Sequence, residues 1–115
     1  MTRQVVALVV TLLMSRVALA HAILLEAKPI VNGVVSGPDI DLVLRFNSRI
    51  DSARSRLTLV LPDSSVRLLS LQSSTTPASL DTHITGLQAG EYKLRWQVLA
   101  SDGHITRGEI PFRVK

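Results

Sequence analysis

The chain has no cysteine. No disulfide therefore braces it, and no thiolate is on offer to a metal. Its only two methionines, Met1 and Met14, both stand near the N-terminus. Rings are scarce as well, with one Trp, one Tyr and two Phe in 115 residues. That supply is too thin for the stacking platform that a single-stranded nucleic-acid binder needs, and the basic residues are scattered rather than striped. Long apolar runs are missing too. Val5 to Met14 is broken only by Thr11 and ends at Ser15-Arg16, well short of the roughly 20 residues of a spanning helix.

What the N-terminus does contain reads as an export signal. Arg3 supplies a positive start, Val5 to Met14 the apolar stretch, and Ala18-Leu19-Ala20 the small residues at −3 and −1 of a cleavage site. Residues 1–20 are thus expected to be removed, and residues 21–115 to form one small soluble domain. Cleavage would take away Arg3 and Arg16, leaving 11 basic residues against 9 acidic ones, a formal charge of +2 in place of +4. It would also remove both methionines, so the mature domain would hold no sulfur ligand while keeping all three histidines.

The rest of the chain is a series of short alternating patterns between turn signals. Ile40, Leu42, Leu44 and Phe46 alternate with Asp41, Val43 and Arg45, the period of a half-buried strand. Leu57, Leu59 and Leu61 repeat the pattern before Pro62-Asp63-Ser64-Ser65 breaks it. Val66 to Leu71, Leu80 to Ile84, Tyr92 to Val98 and Ile110 to Val114 follow, and Ile23 to Glu26 opens the set. About seven strands in this style predict an all-β fold, an Ig-like Greek-key sandwich or barrel. Tyr92, just after the turn at Gly90, suits a tyrosine corner between sheets, and Trp96 suits the core.

Three residues stand out chemically. Once it is the first residue, His21 offers a free α-amine and its ring Nδ1, which together can chelate one metal. The amine, with an ordinary pKa near 8, gives up its proton readily to a metal. The plain alternative is that some residue must come first. Asp102 and His104 stand at i and i+2 and would share a side if the chain there were extended. Asp102-Gly103 is also a common turn pair, which favours a turn at this spot. Taken jointly, His21, Asp102 and His104 make a nitrogen and oxygen set that suits tetragonal Cu(II), and less distinctively Ni(II) or Zn(II). Ile23 stands where a purely local N-terminal copper site would need a histidine, so the fold itself must assemble such a centre. His83 reads as a surface residue of a short strand with no role.

From His21-Ala22 to Phe112-Arg113-Val114 the sequence resembles the CopC family of periplasmic copper-binding proteins, including its YobA-like members. The Leu42–Phe46 strand, Ala89-Gly90-Glu91-Tyr92, Trp96, Asp102-Gly103-His104 and Gly108-Glu109 carry the likeness. The resemblance implies a seven-stranded sandwich holding one Cu(II) per chain, with His21, Asp102 and His104 as ligands. It implies a periplasmic carrier or buffer in copper homeostasis or resistance, with a CopD-like membrane protein as the partner that takes the metal. No Met-rich Cu(I) site is available here. Ser48 stands where many members of that family have an acidic residue near the copper.

The chain is accordingly expected to be no enzyme. Two other readings are open: a copper-brace oxidative enzyme, which would need exposed rings to dock a polymer, and a metal-free Ig-like interaction module.

Overall fold

The computed structural model describes residues 22–72 and 76–115. His21 and the proposed export signal lie outside them. Eight strands form: β1 (Leu24–Lys28), β2 (Gly33–Val35), β3 (Ile40–Phe46), β4 (Ile50–Val60), β5 (Val66–Leu69), β6 (Ser79–Ile84), β7 (Gly90–Ala100) and β8 (Ile105–Val114). One sheet runs β1-β3-β6 and the other β2-β8-β7-β4-β5. The expected all-β sandwich is the architecture found.

Alternation decides which side chains the sheets share. In β3, Ile40, Leu42, Leu44 and Phe46 are buried, whereas Asp41 and Arg45 face solvent. Leu57 and Leu59 of β4 and Leu94, Trp96 and Val98 of β7 meet them from the facing sheet. Trp96 packs edge-on against Phe46, ring centres 5.3 Å apart at 66°. Tyr92 stacks on Phe112 and donates its hydroxyl hydrogen to the carbonyl of Gln88 at 2.7 Å, the corner expected of it. All four rings of the chain are therefore interior.

Two features depart from the expected pattern. β2, three residues long, adds an eighth strand and runs parallel to β8, with Gly33 beside Phe112. β4 begins at Ile50 rather than Leu57, since Ile50 and Asp51 already pair with Ala100 and Leu99 of β7 before a bulge between Asp51 and Arg56 interrupts the register. Buried Ser55 stitches that bulge together. Its Oγ donates to the carbonyl of Asp51 at 2.7 Å and accepts the amide of Leu99 at 3.2 Å.

Among the described residues no helix is long and apolar enough to cross a membrane. The β3–β4 link, the start of β1 and the β7–β8 hairpin meet at one end of the sandwich.

Candidate metal centre

At that end the β7–β8 hairpin closes through Ser101-Asp102-Gly103-His104. The amide of Ala100 donates to the carbonyl of His104 at 2.9 Å, and that of Gly103 to the carbonyl of Ala100 at 3.0 Å. Gly103 sits at φ +89°, where a side chain would strain the backbone. The segment is thus a turn, as the Asp-Gly pair suggested, and not an extended stretch.

The turn nevertheless brings the two side chains together. Asp102 Oδ1 accepts the backbone amide of His104 at 3.0 Å. Asp102 Oδ2 lies 2.9 Å from His104 Nδ1. The imidazole is largely exposed and the carboxyl mostly covered, at 60% and 23% of their side-chain surfaces. A carboxylate on Nδ1 fixes ring orientation and tautomer and makes Nε2 the nitrogen suited to a metal, which is how metal-binding histidines are commonly held. A carboxylate has about four acceptor positions, so holding His104 is compatible with Asp102 also ligating an ion.

Two further contacts tie the turn to the start of the domain. The amide of Ser101 donates to the carbonyl of Arg49 at 3.1 Å. Two residues earlier, Asn47 grips β1's approach from both sides. Its Oδ1 accepts the amide of Ile23 at 2.7 Å, and its own amide donates to the carbonyl of Ile23 at 2.9 Å. Ala22 beside it is buried. Ile23, two residues past His21, is therefore anchored on the same three-residue link, Asn47-Ser48-Arg49, that touches the turn. The Oγ of Ser48 is buried there without a hydrogen-bond partner. Sequence reasoning gave Asn47 no role, although an Asn directly after a strand is a recognised turn former.

Among the described residues no three of His, Asp and Glu gather closely enough to hold an ion. Asp102 and His104 are brought together, and the third expected donor, His21, lies outside the described residues. His83 is elsewhere. It is exposed on β6 and bonded through Nδ1 to Asp41 Oδ1 at 2.6 Å. Asp41 is six residues before Asn47 along β3, about 20 Å away at strand spacing.

A sulfur-free two-sheet sandwich with a histidine–aspartate turn at the end where its chain enters defines a class of small β-domain. The family model of the CopC domain matches residues 24–115, and the chain belongs to that family. It is similar to copper resistance protein C of Xanthomonas campestris pv. juglandis, with 27% identity over 117 residues, 96% of this chain and 92% of the relative. Among solved structures it resembles CopC from Methylosinus trichosporium OB3b, with a TM-score of 0.73 and 26% identity over 83% of this chain and 94% of that one. It also resembles PcoC, a methionine-rich copper resistance protein from Escherichia coli, with a TM-score of 0.64 and 26% identity over 84% of this chain and 100% of that one.

Proposed function

We propose that this protein is exported to the periplasm, cleaved after Ala20, and binds one Cu(II) through His21, Asp102 and His104 as a carrier or buffer in copper resistance. The observation that supports this most is the link between the two halves of the donor set. Asn47 clamps Ile23, two residues past His21, and Arg49 in the same link holds Ser101 of the turn. The donor chemistry agrees, since amine, imidazole and carboxylate suit Cu(II). Unlike the methionine-rich relative, this chain has no methionine after Met14, so thioether capture of Cu(I) has no residues to use. A CopD-like membrane protein is the partner we propose for the metal. A non-enzymatic role accords with the interior position of all four rings, which leaves no aromatic platform for a polymer among the described residues.

The test is a Cu(II) titration of correctly processed protein beside two variants. One retains a single extra residue before His21, and the other carries His104→Ala. The processed protein should load one equivalent and give an axial copper signal from mixed nitrogen and oxygen donors. Each variant should lose affinity and change that signal. Equal binding by the extended protein would overturn the proposal.

A further inference from the structure

The two outer faces of the sandwich differ in charge. Past the bulge of β4, the exposed cations on the outer side of the five-stranded sheet are Arg56, Lys93, Arg95, Arg107 and Arg113, opposed by Glu91 and Glu109, a balance of +3 to which Asp51 and Arg54, paired with each other at the bulge, add nothing. The three-stranded sheet sets Glu26, Asp41 and Asp81 against Lys28 and Arg45 on its outer side, a balance of −1. The basic character of the domain is thus concentrated on one face.

That face is ordered. Strand register lines up Arg56, Gln97 and Arg107 on one rung and Thr58, Arg95 and Glu109 on the next. Arg107 Nε donates to Gln97 Oε1 at 2.8 Å, and Arg95 Nε to Glu109 Oε2 at 3.2 Å. Both guanidiniums are held through Nε, which directs their paired NH2 groups as a fork. Arg56, Arg95 and Arg107 border one groove of about 460 Å³. Beside it, on the same face, β5 sets Leu68 opposite Thr58 and Val66 opposite Val60. These two are 70% and 60% exposed, and no third layer covers them among the described residues.

We propose that this face is a docking surface for an acidic protein partner, whose Asp or Glu carboxylates meet Arg56, Arg95 and Arg107 while apolar side chains cover Val66 and Leu68. Anchored guanidiniums recognise carboxylates two bonds at a time. Arginine with exposed aliphatic residues is also the composition of a protein interface, whereas a diffuse anionic surface is served as well by mobile lysines. The Gln97–Arg107 rung is a few residues from the hairpin turn, so a partner seated there would lie beside the candidate metal centre. The surface itself stands whether or not the turn holds copper.

The test uses the full chain expressed with its own N-terminal segment and isotope-labelled for NMR. At about 0.15 M salt, where weak long-range attraction is screened, it is titrated with a synthetic peptide alternating Glu and Leu. The same peptide with Gln for Glu and vesicles of phosphatidylglycerol serve as comparisons. Shift changes are expected on the outer residues of β4, β5, β7 and β8. Arg56→Glu with Arg107→Glu should weaken binding about tenfold or more, and the milder pair Arg56→Gln with Arg107→Gln should give an intermediate loss. Arg45→Glu on the opposite sheet should change nothing. Binding insensitive to both double variants, equal binding of the Gln peptide, or binding of the vesicles in place of the acidic peptide would overturn the proposal.

Discussion

Asp102 holds His104 twice, through Oδ1 to its backbone amide and through Oδ2 to its ring Nδ1. The first bond shapes the hairpin turn, and the second sets which ring nitrogen carries the proton. An ionised carboxylate can only accept, so the contact asks for a proton on Nδ1, and in the neutral ring the lone pair is then on Nε2. An amide at this position would keep the first bond and invert the second. Its NH2 group donates to Nδ1, which moves the ring proton to Nε2.

Asp102→Asn should therefore leave the turn intact, with a stability change within about 0.5 kcal/mol, and yet lower Cu(II) affinity by at least the roughly 10–100-fold that loss of a ring-orienting partner costs, since the carboxylate is also a proposed ligand. Asp102→Ala should lose affinity and also about 0.5–1.5 kcal/mol of stability with the turn bond. Ring nitrogen shifts of His104 read the tautomer, and copper titration reads the affinity. An Asn variant that keeps the proton on Nδ1 and binds copper normally would refute this account.

Gly108 is paired with Trp96 across β7 and β8, and a methyl on its Cα would fall 2.6 Å from the indole Nε1, with ring carbons nearer still. Gly108→Ala must displace the indole from its edge-on seat against Phe46. The expected cost is about 1–3 kcal/mol, the usual range for overpacking. Trp96 is the only tryptophan, so its emission reports its own displacement by a red shift, and urea unfolding gives the stability. Adding Trp96→Leu should remove most of the penalty of the alanine, because the clash has one partner. Additive losses in the double variant would count against this packing.

Much of the fold was legible because burial on one face writes itself into the sequence at period two. Ile40 to Phe46 reads correctly at every position, and Tyr92 at its corner follows from the turn at Gly90. β2 escaped notice because Gly33-Val34-Val35 is too short to alternate and owes its state to β8, nearly eighty residues on. The early part of β4 escaped because its bulge breaks the alternation that marks a strand. At the candidate centre, Asp102-Gly103 announces its turn by local chemistry. The contacts of Asn47 with Ile23 and of Arg49 with Ser101 join segments distant in sequence, and no local pattern encodes such pairs.

Ser48 offers a stability test free of copper. Its Oγ is buried with no partner, so the folded state bears a desolvation cost that the unfolded chain does not. Ser48→Ala removes the atom that suffers this and opens little space. The metal-free variant should be more stable by about 1 kcal/mol, seen as a higher urea midpoint at unchanged slope. A loss of stability would mean the hydroxyl is satisfied in solution after all.

Asn47 separates anchoring from ligation. It supplies no donor to the proposed coordination sphere, but its side chain and its amide hold Ile23 in place, which shortens the free tether of the chain's entry to a single buried residue, Ala22. Asn47→Ala removes the side-chain half of that grip. The N-terminal donors would then have to be ordered when the ion binds, a cost that comes straight out of affinity. Copper should still bind one to one with an unchanged spectroscopic signature, since the ligands are the same, but about tenfold more weakly. Amide exchange at Ile23 should speed up in the metal-free variant and slow again on loading. A changed signature would show Asn47 to be part of the coordination itself, and an unchanged affinity would show that the start of the domain is positioned by something other than this clamp.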